Sequence, residues 1–596
     1  VSVIQTILHS VEEGKARFLV RLIPLAVTLL VITGMYDFSI YRGLNDAQSM
    51  DNAQLARQIY RGKGFTTEFI RPYAIDQFRH KGALENGVHE KTIDLFPGTL
   101  FPANAPRVLP DTYNAPGYPY LLAVWFHLVH PTLTEPVQLI AARHVYSGDR
   151  VIPWLNQIFL LLTAFLIFLL GRRLFDLRVA WLALAAWLFS DLAWRYSITA
   201  LSTCFLTFLF TCVLFVAVEI FAAGESSPES EPPPLWPIWV GTLGLAFVLG
   251  LTCLTRLHLL ILLAPLGLFL GFLPRSHFLL VPSFILVVVA MVTPWFWHMY
   301  QISGSPLGSN GPLLHYGTDP FKGNTIYCTL GASASEQLFR NASQKEYSGF
   351  AWNLEHAWEL LGSNPLVLLF AVSILHHFRR ARAQAFRWLI LGSAFCIVAA
   401  TNLCVDDPEA VGPWNTLMVL LPAMLVVGSA FFFILLDRLQ LNFALFNGAV
   451  IVVLLGLTAL PLLVSLSTRS GKIFNYPPYL PPYLKYLSNV VPPSQWITSD
   501  LPWATAWYGD HASLWLPDKI GDFKDLQENV CPSAMLVLTP VTLNSPASDL
   551  LTGEFKDWFP FITGLNIPPD FPLSVHPPMQ PGGAEYFIWI EPGHLK

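Results

Sequence analysis

Charge is what this sequence has least of. Only 13% of its 596 residues are Asp, Glu, Lys or Arg, against about 25% in soluble globular domains. With 53% hydrophobic residues, 43 Phe and 19 Trp, and a mean hydropathy of +0.49, that deficit excludes a soluble globular chain and points to a polytopic membrane protein. The net charge of −5 lacks the basic excess that holds a phosphodiester backbone, so no nucleic-acid partner is expected. Cysteine is sparse as well. The seven present form no CxxC pair and no zinc-ligand spacing, and most read as small core hydrophobes. Cys328 and Cys531 fall in segments expected outside the membrane, and their pairing stays open. There is no P-loop, dinucleotide fingerprint, HExxH or GxSxG in the context each requires and no repeat at solenoid periods, and no cleavable signal peptide is expected from the residues given. The first apolar run, Phe18 to Met35, begins among Lys15, Arg17 and Arg21, which reads as a signal anchor with a cytoplasmic N-terminus.

What the chain has is a series of apolar runs. A spanning helix needs about 20 mostly apolar residues. The runs predict spans near 18–36, 152–170, 179–196, 198–221, 235–254, 257–273, 277–298, 365–377, 387–403, 416–436 and 442–467, about eleven in all. A shorter run, Tyr118 to Val129, reads as a membrane-surface helix. Arginine placement supports that choice. With 118–129 kept on the surface, Arg172, Arg173 and Arg178, then Arg275, then Arg379, Arg380, Arg382 and Arg387 all fall on the N-terminal, cytoplasmic side. The Pro/Ser/Glu-rich linker Gly224–Pro234 falls there too. Were 118–129 to cross, every one of these clusters would face outward.

The predicted organisation is therefore a transmembrane domain over 1–467 and an external soluble α/β domain over 468–596. External loops cover 37–117 and 300–364, and a short acidic turn runs from Cys404 to Glu409. In the tail, Trp496-Ile-Thr-Ser, Ala534 to Thr539 and Tyr586 to Ile590 read as buried strands, with a short helix over Asp522–Gln527.

Against this apolar background a few polar segments carry chemistry. Asp46 and Asp51 lie in the first external loop, in a stretch whose Met50, Ala53, Leu55, Ala56 and Ile59 predict a helix along the membrane surface. A carboxylate held there is placed to act as general base on an acceptor; the plainer reading of Asp46 is a helix N-cap. Thr112-Tyr-Asn-Ala-Pro-Gly-Tyr-Pro-Tyr120 closes the same loop and opens an apolar helix, whose N-terminus suits phosphate or is simply a helix-start turn. Arg256, in Leu251-Thr-Cys-Leu-Thr-Arg-Leu-His258, sits between two apolar runs. An ionisable residue there marks function or snorkels to the interface, and its planar guanidinium suits phosphate. The tail segment Ser499 to His511 is dense in Trp, Tyr and Asp, as a sugar-stacking surface or an aromatic core turn would be. Asn341-Ala-Ser343 fits an N-glycosylation acceptor, which matters only in a eukaryotic lumen.

Taken together these motifs resemble the GT-C superfamily of polytopic glycosyltransferases. The resemblance extends in particular to the phospholipid-carrier-dependent set that includes the protein O-mannosyltransferases and aminoarabinose transferases. It rests on Met50-Asp-Asn-Ala-Gln-Leu-Ala-Arg57 with Gly62-Lys-Gly-Phe-Thr-Thr67, and on Asn114-Ala-Pro-Gly-Tyr-Pro-Tyr-Leu-Leu122. Gly171-Arg-Arg-Leu-Phe175, Leu254-Thr-Arg256 and Asp500-Leu-Pro-Trp-Ala-Thr-Ala-Trp-Tyr-Gly509 follow in the family order across most of the chain. The resemblance implies a GT-C-like α-helical membrane fold in a bacterial inner membrane, with the C-terminal domain periplasmic. It implies a polyprenyl-phosphate-sugar donor, an acceptor on the external face, and membrane lipids as partners. The catalytic acid maps onto Asp51, with Asp46 as runner-up, and the donor phosphate onto Arg256. His258, Arg57, Tyr113, Asn114 and Tyr118 complete the implied binding set. A divalent metal occurs in some relatives, but no DxD motif supports one here.

Two departures stand out. Relatives often carry a second acid where this chain reads Thr199-Ala-Leu-Ser-Thr-Cys204. Many also carry a basic pair where it reads Gly412-Pro-Trp-Asn-Thr-Leu-Met-Val-Leu-Leu-Pro422. They keep open a second reading, a catalytically inactive GT-C-like subunit of a larger membrane complex. A transporter is disfavoured, because the charges cluster in loops rather than midway along spans.

Overall fold

The computed structural model describes residues 16–86, 109–139, 145–225, 235–273, 278–311, 326–331, 338–404, 415–439, 444–467, 480–492, 494–530, 532–543, 547–553, 556–563, 569–575 and 587–591. Arg275, most of the 224–234 linker, the acid-bearing part of the Cys404–Glu409 turn and Cys531 lie outside the described residues.

Among the described residues, seven helices are long and apolar enough to cross a membrane: Ser147–Leu174, Thr203–Gly224, Trp236–Thr255, Leu280–Ser303, Ala381–Cys404, Thr416–Arg438 and Phe446–Ser467. The run expected as a span at 179–196 is a broken pair, Leu177–Leu188 and Asp191–Ser197, bent by 53°. Side-chain contacts accompany the break. Trp194 Nε1 donates to the carbonyl of Leu188 at 2.8 Å, which gives a backbone group at the bend a partner, and the Asp191 carboxylate just past the bend accepts the Tyr36 hydroxyl at 2.7 Å. Expected spans at 257–273 and 365–377 appear as shorter elements. The first is a 3-10 turn, Leu257–Leu262, running into Leu263–Gly271; the second is Pro365–Ser373. The expected surface helix is Gly117–Val129.

Burial sorts these helices. Thr416–Arg438 is the axis of the bundle, with 89% of its apolar window buried, whereas Phe446–Ser467 and Leu280–Ser303 show 17% and 22% and line the perimeter. Lipid supplies no hydrophobic drive between helices, so close approach relies on small residues. Gly428 on the axis demonstrates this: a Cβ there would lie 2.1 Å from the Leu366 carbonyl oxygen.

The two ends of the bundle differ chemically. At one end Arg173 meets Glu219 at 2.8 Å, Arg178 meets Asp437 at 3.2 Å, and Arg382 meets Glu225 at 2.6 Å. Arg380 joins them by donating to the carbonyls of Leu174 and Phe175. The opposite end carries the helix Ala47–Tyr60 and the strands.

The strands are β1 (Thr66–Thr67), β2 (Phe69–Ile70), β3 (Leu109–Pro110), β4 (Trp496–Ser499), β5 (Ser513–Trp515), β6 (Ser533–Leu538), β7 (Ser574–Val575) and β8 (Phe587–Ile590). β1 and β3 pair antiparallel. The other six form one sheet in the order β2-β5-β4-β6-β8-β7. It is parallel from β2 to β6 and antiparallel at β6/β8 and β8/β7. β6 is buried along its whole length, as a central strand covered on both faces must be. The edge strand β2 comes from the 37–117 loop, so that loop and the tail share one sheet. The sheet fixes where residues 65–71 stand relative to the bundle.

Candidate active site

The helix Ala47–Tyr60 organises the site. Asp46 is its N-cap: with extended backbone, its Oδ1 accepts the Ser49 amide at 2.7 Å. The helix carries Ser49, Asp51, Asn52, Gln54, Arg57 and Gln58, yet all six are buried, and buried polar groups need partners. Ser49 and Asn52 grip the turn at Ala200, whose N–H donates to Ser49 Oγ (3.0 Å) and whose carbonyl accepts from Asn52 (2.9 Å). Gln54 spans Asp51 Oδ1, Thr67 Oγ1 and the Glu68 N–H.

Arg57 turns away from this group. It is fully buried, 2.6 Å from Glu68, 3.4 Å from Asp510, and donates to the carbonyls of Ala506 and Trp507 at 2.6 Å each. It therefore ties the first loop to the tail helix Pro502–Gly509. The aromatic segment around it is core, since Trp507 and Tyr508 are both buried and both donate to Asp149.

Asp51 is 1% exposed. Its Oδ1 accepts from Gln54 at 2.9 Å, and its Oδ2 accepts from Arg71 Nη2 at 2.7 Å and from Asn114 Nδ2 at 2.8 Å. The Arg71 guanidinium is stacked between the rings of Phe69 and Tyr113, each centroid 4.0 Å away. Its other arm lies 3.6 Å from Asp111. Asp111 in turn accepts the backbone N–H of Asn114 (2.7 Å) and of Tyr113 (3.3 Å), which closes the turn that opens the Gly117–Val129 helix. Burial first, and then the nearby Asp51 charge, push the Asp111 carboxyl above the usual carboxylate range, with Arg71 opposing.

Beside this cluster lies a cavity of about 210 Å³. Gln48, Asn52, Tyr113, Asn114, Tyr118, Arg256 and His258 bring polar groups to its wall, while Pro119, Leu257, Leu260 and Phe296 make much of the rest apolar. Arg256 leaves the Trp236–Thr255 helix in extended conformation and donates to Ser202 (3.3 Å) and Thr416 (2.9 Å). Burial pulls its guanidinium down to about 10, while the Tyr196 and Tyr113 phenols pull the other way, so it stays charged at neutral pH. The buried Nε2 of His258 has no hydrogen-bond partner. The wall is tightly drawn at Gly117, where a Cβ would lie 2.9 Å from Thr255 Cα, directly beside Arg256.

Five of the residues expected at the site thus line one cavity: Tyr113, Asn114, Tyr118, Arg256 and His258. Asp51 lies one side chain behind the wall, linked to it through Asn114. Asp46 caps the helix, and Arg57 is held elsewhere. Sequence reasoning missed Arg71, Phe69 and Asp111. Asp111 immediately precedes the Thr112–Tyr120 motif, and Arg71 lies four residues past the Gly62–Thr67 motif, so both border segments that carry the resemblance. The uncharged approach to the axial helix supplies a hydroxyl instead of a base, Thr416 on Arg256. Among the described residues, no group of three or more His, Cys, Asp or Glu is arranged to hold a metal ion.

No protein-family model and no curated protein matches the chain. Solved structures do. The chain is similar to ArnT from Cupriavidus metallidurans in the apo state, with TM-score 0.51 and 11% identity over 96% of this chain and 98% of that one. It is also similar to the archaeal oligosaccharyltransferase AglB from Archaeoglobus fulgidus in complex with an inhibitory peptide and a dolichol-phosphate. There the TM-score is 0.50, with 11% identity over 94% of this chain and 74% of that one. Both are GT-C glycosyltransferases, and this chain has the GT-C fold. It is an integral membrane protein.

Proposed function

We propose that this protein transfers a sugar from a polyprenyl-phosphate-linked donor to an acceptor on the external face of the membrane, with Asp51 as general base. The observation that carries the reading is the pairing of Arg256 and His258, on a largely apolar cavity wall, with a buried carboxylate one side chain away. An apolar wall suits a prenyl chain, and a buried guanidinium suits its phosphate.

In the reaction the acceptor hydroxyl or amine attacks the anomeric carbon and the bond from that carbon to the phosphate oxygen breaks. The polyprenyl phosphate leaves, its charge stabilised by Arg256. The acceptor proton passes to Asp51. Rotation of the Asn114 amide away from Asp51 Oδ2 opens the path between acceptor and base.

Sidedness follows from charge. The positive-inside rule supports reading the arginine-rich end of the bundle as cytoplasmic; on that reading the cavity and the sheet lie on the external side, the periplasmic one if the membrane is a bacterial inner membrane. The dolichol-phosphate bound to AglB is a ligand of the same chemical class.

One observation favours a second reading, a catalytically inactive GT-C-like subunit of a larger membrane complex: both oxygens of Asp51 are already engaged by N–H donors. Photocrosslinking tests the binding half of the proposal. A diazirine-bearing polyprenyl phosphate is expected to label the 256–260 segment, with the labelling much reduced in Arg256→Ala. Equal labelling of wild type and variant, or labelling confined to the lipid-facing perimeter, contradicts it.

A further inference from the structure

Two carboxylates enclosed together in a low-dielectric site repel each other and need a cation. A phosphate leaving group arriving nearby adds to that need. A divalent ion and a guanidinium are two ways to meet it, and they place opposite demands on the surrounding groups. A divalent ion needs free oxygen lone pairs, commonly six or so ligands in all. A guanidinium needs acceptors at the spacing of its fork.

The groups around Asp51 and Asp111 answer the second demand. Gln54 Nε2 faces Asp51 Oδ1, and Arg71 Nη2 and Asn114 Nδ2 face Asp51 Oδ2. The backbone amides of Asn114 and Tyr113 face Asp111 Oδ2, and Arg71 Nη1 approaches Asp111 Oδ1. Three of the four carboxylate oxygens accept N–H hydrogen bonds, and the fourth, Asp111 Oδ1, faces the Arg71 guanidinium at 3.6 Å, so a cation already stands where a metal would have to enter. The guanidinium is also locked in place, stacked between Phe69 and Tyr113 and 5% exposed. The donor set therefore does not fit a divalent ion at this acid pair.

We propose that Arg71 is the built-in cation of this site, standing where a divalent ion would otherwise bridge Asp51 and Asp111, so that sugar transfer by this protein runs without a metal. The proposal rests on the glycosyltransferase reading. Arg71 supplies the positive charge, fixes the Asp51 carboxylate, and, being always protonated, takes no part in the proton transfer itself. Its side chain also sets the distance between the two acids, because one planar group contacts both.

The test uses the full-length protein in detergent micelles with Mn²⁺ as probe, read by electron paramagnetic resonance. Wild type is expected to bind no Mn²⁺ that Asp51→Asn or Asp111→Asn removes. Arg71→Ala, which leaves the two carboxylates facing each other, is expected to gain one bound Mn²⁺ per chain. That ion should be lost again in the Arg71→Ala/Asp111→Asn double variant. Arg71→Lys, which keeps a charge there, is expected to show no gain. A wild-type Mn²⁺ site that either acid variant abolishes overturns the proposal, as does a folded Arg71→Ala that gains no ion. The wild-type arm decides even where Arg71→Ala fails to fold. Transfer abolished by EDTA in wild type sinks the metal-free claim and leaves the glycosyltransferase reading intact. Silence with every donor, alongside the expected Mn²⁺ pattern, sinks that reading and leaves the cation assignment standing.

Discussion

Asn114 donates its side-chain amide to Asp51 Oδ2 at 2.8 Å while its own carbonyl oxygen accepts from Gln48 at 2.7 Å. One neutral side chain thus separates the buried acid from the cavity wall and is oriented by partners on both sides. An Asn114→Asp substitution replaces a donor with a like charge against Asp51. Turnover is expected to fall by about 100-fold, a typical share for a general base. Turnover by the variant at the wild-type rate contradicts the role given to this contact.

Arg57 makes a stability prediction that does not involve the cavity. Removing it strands Glu68 and two buried carbonyls, while Asp510 keeps its paired contact with Arg61. Breaking a buried pair from one side costs about 3–5 kcal/mol, so Arg57→Met is expected to lower the thermal midpoint in detergent by several degrees or more. An unchanged midpoint means that the tail does not depend on this contact.

The same cluster gives the pH dependence its sign. Burial alone raises the Asp510 carboxyl, but Arg57 first, and then Arg61 and Lys485, more than offset it, so its folded pKa lies well below the ordinary value. A depressed carboxylate stabilises the fold above its unfolded pKa of about 4, and that stabilisation is lost as pH falls through the folded value. Thermal stability is expected to drop on acidification below about pH 4, and Asp510→Asn is expected to flatten that limb. Asp111 acts in the opposite sense. Its raised carboxyl favours the folded state below the ordinary carboxylate range, and that advantage fades as pH rises.

Much of the fold was legible in the sequence because lipid imposes simple rules. Long apolar runs at 152–170, 198–221, 235–254 and 277–298 correspond to spanning helices because nothing else satisfies the backbone in hydrocarbon. The strands at Trp496–Ser499, Ser533–Leu538 and Phe587–Ile590 were readable as short, mostly apolar runs, the first and last rich in aromatic and β-branched residues. The break near Ser190 was not, since the contacts that accompany it, Trp194 on the Leu188 carbonyl and Tyr36 on Asp191, are side-chain contacts that carry no periodic signal. The edge strand β2 was missed as well: two residues carry no periodicity, and its partner β5 lies more than 400 positions further along.

The site was legible in part for similar reasons. Asn114, Tyr118 and Arg256 stood at helix termini, where polar residues beside apolar runs draw attention. Arg71 directly precedes a helix too, but that helix, Pro72–Asn86, is polar, and Asp111 lies in a turn, so neither borders an apolar run. Their meaning comes from the contact each makes with Asp51 or its neighbours, and Arg57, which looked equally suitable by type, is drawn off by Glu68 and Asp510.

The central claim is that Asp51 takes the acceptor proton while a polyprenyl phosphate leaves. Its most direct test is release of polyprenyl phosphate by the purified protein from a pool of polyprenyl-phosphate sugars with cell-envelope acceptors, wild type beside Asp51→Asn. The account predicts release by wild type and a loss of about 100-fold or more in the variant, with thermal midpoints showing both proteins folded. Equal release by both would contradict it. Equal silence across donors, with the protein co-purifying in fixed ratio with other subunits, would favour the inactive-subunit reading.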